Sequence, residues 1–230
     1  MMSTRHFLAV FVLSCCFAAP QAGASGPAVP AAPAATASST ADDPRIDRLT
    51  DLVVEMVPFG KMFEIAAANP KWPVQDRPEA VTTEQLTCLR AELSPAGYRR
   101  TRRLEVADYV AADPARADRD IALLEQGAAS MMGKAMMAGV ESKRADKEID
   151  VQALLANARP EQLMAFMTFM SDPKYAALRD LSGLSGIYGD SKSPKNGRDT
   201  GEAQGEMMAA QFMLKAMSSC DVPMSALFEK

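Results

Sequence analysis

The chain reads T-E-Q-L-T-C-L-R-A-E-L-S-P-A-G-Y over residues 83–98 and P-E-Q-L-M-A-F-M-T-F-M-S-D-P-K-Y over residues 160–175. Glu84, Gln85, Leu86, Ser94 and Tyr98 recur as Glu161, Gln162, Leu163, Ser171 and Tyr175, 77 positions on and without a gap. Leu89 answers to Phe166 and Leu93 to Met170. The spacing places Leu86, Leu89 and Leu93 on one helical face, and Leu163, Phe166 and Met170 on another. Thr82 with Gln85 fits a capping box, and Pro160 suits the first turn of a helix, where its missing amide hydrogen costs nothing. Ser94-Pro95 and Asp172-Pro173 each read as an N-cap followed by proline at N1. Each stretch is therefore predicted to be a helix, a tight corner and a second helix, with Tyr98 and Tyr175 locking the corners to the core. The expected fold is a single all-α domain made of two diverged helix-corner-helix units, about 43–112 and 113–182, followed by a C-terminal helix at about 200–218.

Upstream, residues 1–24 read as a secretory signal. Arg5 and His6 open it, Phe7 to Ala19 is its apolar core, and Ala22-Gly23-Ala24 is an A-x-A cleavage site. A lipoprotein signal is the alternative, with Cys15 as the lipidated residue. Residues 25–42 are rich in Ala, Pro, Ser and Thr, too poor in bulky apolar groups to offset the entropy of ordering, and are read as a flexible linker. Residues 43–230 are then the folded domain. The expected location is exported and periplasmic.

Cleavage changes what chemistry is open to the chain. The single histidine, His6, leaves with the signal, as does Arg5, so the formal charge of −4 becomes about −5. Without histidine there is no Ser-His-Asp triad, Cys-His pair or histidine metal site. No cofactor is implied, and a non-catalytic role is expected.

Asp43-Pro44 opens a helix with Ile46, Leu49, Leu52, Val53, Met56 and Val57 at helical spacing, which Pro58 should kink or end. The proline-rich loop 69–78 carries Trp72, expected to lie back on the core. Asp113-Pro114 starts what reads as the longest helix, to about Lys147, with a nearly uncharged middle in which Gly127, Gly133 and Gly139 would admit a neighbouring helix closely. A polar loop over 182–199 precedes the last helix, which Met207, Met208, Phe212, Leu214 and Met217 should bury.

The first stretch resembles the core of a family of secreted bacterial helical proteins classed as a domain of unknown function, with the pattern E-L-x-x-L-x-x-F-Y-x-S-P-x-G-x-K. Glu84, Leu86, Leu89, Ser94, Pro95 and Gly97 carry the resemblance, with Gln85 inserted between the Glu and the Leu and Arg99 in place of the lysine. It implies an exported all-helical fold and transfers no catalytic residues.

Four features bear on function. Cys88 and Cys220 are the thiols left after cleavage; an even pair in an exported protein reads as a disulfide, the alternative being two buried thiols. The methionines cluster at 131–137, 164–170 and 207–217, and are read first as core filling, then as an adaptable groove for apolar clients, and last as Cu(I) ligands. Arg99, Arg100, Arg102 and Arg103, with Arg90 nearby, form either a basic contact patch for an acidic partner or envelope phosphates, or a plain solvated helix face. Ser171-x-x-Lys174 has the spacing of a serine hydrolase pair, but Ser171 is already explained by its corner. The expected function is a periplasmic protein-binding or structural module, or else a chaperone-like binder of apolar clients. The expected partner is another envelope protein or the envelope surface. Nucleic acid is not expected, nor is a transmembrane span in the mature protein.

Overall fold

A computed structural model describes residues 42–74, 78–145, 151–185 and 197–228. The signal, the linker through residue 41 and residues 186–196 of the polar loop lie outside the described residues, as does Cys15. Among the described residues every regular element is helical.

The helices begin where local chemistry starts them. Asp43 caps α1 (Pro44–Met56), its carboxylate accepting from the Arg45 amide at 2.9 Å. The helix stops before Pro58, which leads into α2 (Phe59–Ala66). Thr82 and Gln85 form the full capping box of α3 (Thr83–Glu92). Ser94 accepts from Gly97 N at 3.1 Å to start α4 (Pro95–Ala112). Asp113 accepts from Arg116 N at 2.9 Å to start α5 (Pro114–Leu123). Each cap satisfies an amide that the first turn leaves without a partner.

The long helix expected over 113–147 is broken. After α5 comes a π turn (Leu124–Ala128), with Gly127 at φ +115°, and only then α6 (Ala129–Ala145). A side chain at that φ is strained, and a Cβ there would lie 2.5 Å from Cγ of Gln162. Downstream follow α7 (Val151–Ala156), α8 (Pro160–Ser171), a 3-10 turn (Pro173–Tyr175), α9 (Ala176–Leu181), α10 (Gly197–Ser219) and α11 (Ser225–Phe228).

One core lies around α1, which packs against α4, α5 and α6. Ile46, Leu49, Val53 and Met56 are wholly buried at helical spacing. Gly133 of α6 meets the C-terminal turn of α1, where a Cβ would stand 2.2 Å from the Glu55 carbonyl oxygen. Its close-approach role is as expected. Trp72 is buried against Phe63, ring centroids 5.9 Å apart.

The two E-Q-L stretches share the glutamine bond to the N-cap amide and a proline after the corner cap, and otherwise diverge. After the first corner α4 runs for 18 residues; after the second there is a 3-10 turn and a six-residue helix. Their buried faces differ too. In the first stretch Leu89 and Leu93 go inside, as expected. In the second, Ala165 and Phe169 go inside while Leu163, Phe166 and Met170 are only half-buried. Ala165 and Phe169 answer to Cys88 and Glu92, so the inward face has moved back by one position, about 100° around the helix. Since α1 also packs on α5 and α6, the halves 43–112 and 113–182 share a single core.

Candidate functional site

The arginine run of α4 is engaged within the molecule. Arg99 donates through Nε to Asp51 at 2.8 Å and through Nη2 to Asp47 at 3.3 Å. Arg103 Nε reaches Asp47 at 2.9 Å, and Arg100 pairs with Glu92 at 2.7 Å. Arg90 donates to the backbone carbonyls of Trp72 and Pro70, holding the loop down. The hydrogen bond from Arg103, joined by Arg99, keeps the Asp47 carboxyl below its ordinary range. One member of the expected basic contact patch is corrected, since Arg102 is buried; Arg99 and Arg103 pair with carboxylates of α1 and, like Arg100, keep part of their side chains at the surface.

Arg102 is 5% exposed. Its Nε donates to Tyr98 Oη at 3.2 Å, and its Nη1 to Glu105 Oε2 at 2.6 Å and to the Leu181 carbonyl at 3.2 Å. The guanidinium lies 4.6 Å from the Phe212 ring centroid, a favourable cation–π position. Burial opposes the charge, but Tyr98 and Glu105 outweigh it and hold the group protonated. Tyr98 itself is buried, donates to the Val57 carbonyl at 2.7 Å, and has its pKa raised chiefly by desolvation. Spacing carried a signal here: Tyr98, Arg102 and Val106 fall at i, i+4 and i+8, so Arg102 sits on the buried face of α4.

Beside Arg102 a cleft of about 300 Å³ opens between α4, α9 and α10. Met208, Gln211, Phe212 and Lys215 line it at i, i+3, i+4 and i+7 of α10, facing Arg102 and Glu105 of α4 and Asp180, Leu181 and Gly183 at the end of α9. Lys215 Nζ pairs with Glu105 Oε1 at 3.0 Å, so Glu105 bridges both cations.

A second buried charge is structural. Asp120, wholly buried, accepts from Tyr109 Oη and from Arg119 Nε and Nη2 at 3.2 and 3.1 Å. Arg119 also donates to the Lys174 carbonyl at 3.3 Å and lies 5.5 Å from the Tyr175 ring centroid. Burial, then the Asp120 hydrogen bond, pushes the Tyr109 hydroxyl well above its ordinary pKa. This network ties α5 to α4 and to the second corner, and its acceptors are satisfied.

Cys88 and Cys220 are bonded, with Cα atoms 5.7 Å apart, joining α3 to the end of α10. Gln85 Nε2 reinforces the junction by donating to the Asp221 carbonyl at 2.7 Å. Ser171 and Lys174 do not act as a pair. Ser171 Oγ donates to the Met167 carbonyl at 2.8 Å, and Lys174 Nζ is 3.0 Å from Asp172. That hydrogen bond raises the lysine pKa, the opposite of what a general base requires. No group of three or more His, Cys, Asp or Glu converges among the described residues.

The methionines run from buried through half-buried, as at Met136, Met170 and Met213, to exposed. Met56, Met131, Met132, Met208 and Met217 are buried. Met164 and Met167 on α8 are 71% and 55% exposed, and Met207 on α10 is 56% exposed. Met207 therefore does not help bury the last helix as expected.

No helix among the described residues is long and apolar enough to cross a membrane. Compared with protein-family models, curated proteins and solved structures, the chain matches none.

Proposed function

We propose that this chain is an exported, non-catalytic helical module that binds an apolar segment of another cell-envelope protein on the outward face of α8. The observation that carries this reading is the exposure of Met164 and Met167, three residues apart on that face. A surface helix ordinarily turns charged or polar groups to solvent. Here the outward face of α8 runs Glu161, Met164, Met167, Ser171, with two large thioether side chains at its centre. Methionine is flexible and polarisable, and suits grooves that accept apolar helices or peptides. Export rests on the 1–24 signal, with the resemblance of residues 84–99 to a secreted helical family beside it. The non-catalytic reading is supported by the internal pairing of Asp120, Glu105 and Lys174. A chaperone-like role uses the same face for several loosely matched clients, which exposed methionines tolerate.

A photo-crosslinking residue placed at position 164 in cells tests the reading, with the exposed Asp108 on α4 as a control position. Crosslinks from 164 to an apolar segment of another envelope protein, lost on adding Met167→Glu, are expected. The same crosslinking pattern from 164 and 108 would remove the proposal.

A further inference from the structure

The thioethers of α8 have a chemistry that other apolar side chains lack. A methionine sulfur is open to two-electron oxidation, and exposure decides which sulfurs react. Met164 is 71% and Met167 55% exposed, whereas Met56, Met131, Met132, Met208 and Met217 are buried. Met207 and Met224 are exposed as well, but each stands singly, on α10 and just before α11. On α8 the two sulfurs belong to residues three apart on one outward face, so a single bound segment would cover both. Oxidation there leaves the seating of α8 alone. The residues that face the core are Ala165 and Phe169, and neither carries sulfur. The hydrogen bond from Ser171 Oγ goes to the Met167 backbone carbonyl, not to its side chain.

On the footing that the outward face of α8 is the client surface, we propose that Met164 and Met167 are a paired, reversible oxidation site through which hydrogen peroxide switches that surface off. Each sulfur attacks one oxygen of the peroxide. The S–O bond forms as the O–O bond breaks, and the departing hydroxide takes the proton of the transferred oxygen and leaves as water. The thioether is oxidised by two electrons and the peroxide is reduced by two. The product sulfoxide is a polar acceptor in place of an apolar group. Covered by an apolar client it meets no donor, and burying it unpaired weakens binding by about tenfold for each sulfoxide. A dithiol acting through a sulfoxide reductase restores the thioether: the oxygen leaves as water and the dithiol becomes a disulfide.

The intact, disulfide-bonded chain with a photo-crosslinking residue at position 171, which leaves both methionines in place, tests it. Half is treated with hydrogen peroxide, the excess is removed with catalase, and peptide mass mapping locates the added oxygen. Met164 and Met167 should each gain one oxygen before any buried methionine does, with the melting temperature unchanged. In envelope extract the untreated chain should crosslink to an apolar segment of an envelope protein, and the oxidised chain about tenfold less or weaker still. Met164→Leu with Met167→Leu keeps the face apolar without sulfur, and should crosslink equally before and after peroxide. No crosslink from the untreated chain would remove the client surface and the switch together. Crosslinks that survive oxidation of Met164 and Met167, or a loss shared by the double leucine variant, would overturn the switch alone. So would oxygen on the buried methionines first, or a fall in melting temperature when only exposed methionines are oxidised.

Discussion

Gly133→Ala should destabilise the fold although it places a better helix former inside a helix. In isolation the change favours α6 by roughly 1 kcal/mol. The new methyl, however, would stand 2.2 Å from the Glu55 carbonyl oxygen, where ordinary contact begins at 3.4 Å. The obstacle is backbone, so no side chain can rotate away. Relief requires α1 and α6 to part by about an ångström, loosening the contacts of Met56, Met131 and Met132. Overpacking of this kind costs about 1–3 kcal/mol, and a rigid obstacle belongs at the upper end. The net loss is then about 1–2 kcal/mol, or a fall in Tm of ~2–8 °C at this chain length. Gly205→Ala is the control. Gly205 is also helical, in α10, and nothing lies within 4 Å of its added Cβ. It should gain roughly 1 kcal/mol. Urea unfolding followed by circular dichroism at constant m-value reads both. If Gly133→Ala proves as stable as the parent, the close α1–α6 approach is wrong.

Tyr98→Phe keeps the packed ring but removes the donor to Val57 and the acceptor for Arg102 Nε, so a loss of about 1–3 kcal/mol in urea unfolding is expected; no loss would mean that the hydroxyl is unimportant to the corner. Opening the Cys88–Cys220 bond, which spans 132 residues, should lower stability by about 2–5 kcal/mol. Intact mass after alkylation should show no added group until a reductant is present, and two groups without reductant would refute the bond. Phe169→Ala, at a wholly buried ring, should cost about 3–5 kcal/mol, and Phe166→Ala, half-buried, clearly less. The reverse order in denaturant midpoints would show that α8 faces the core by the side its leucine spacing suggested.

The caps were readable because their chemistry is local. Asp43, Thr82, Ser94, Asp113 and Asp172 each satisfy an amide two or three residues on, and such a bond needs no knowledge of the rest of the chain. The disulfide was readable because the reading of residues 1–24 as a signal leaves only Cys88 and Cys220 to pair. The break at Gly127 was not, because the close contact that needs a glycine there is with Gln162, 35 positions away. Nor was the pairing of the arginine run. Arg99 and Arg103 look like a cationic surface until α4 is laid on α1, which brings Asp47 and Asp51 under them. The cleft shares that limitation. Arg102 could be placed on the buried side of α4 from its spacing, but its stacking on Phe212 and the place of Asp180 on the same cleft arise from the packing of α9 and α10.

The same dependence on neighbours explains α8 and the surface it leaves. Leu163, Met164, Ala165, Phe166, Met167, Phe169 and Met170 are apolar almost all the way round the helix, so burial alone selects no inward face. Contact with the π turn selects it. Gly127 has no side chain, and Gln162 comes so near that a Cβ would stand 3.2 Å from its Cα. The side of α8 seated on that turn therefore contains position 162. Positions 165 and 169 follow at i+3 and i+7, and those are Ala165 and Phe169, the buried pair. Gln162 also caps its own helix, accepting from Arg159 N at 3.1 Å, just as Gln85 Oε1 accepts from Thr82 N at 3.0 Å. The glutamine thus keeps one role in both stretches, but only the second also packs on the glycine of a π turn. Once 162, 165 and 169 face inward, 164 and 167 must face out. The exposed methionines are thus a geometric consequence of how α8 seats on Gly127. An adaptable apolar surface is held there by a core contact on the opposite side of the same helix.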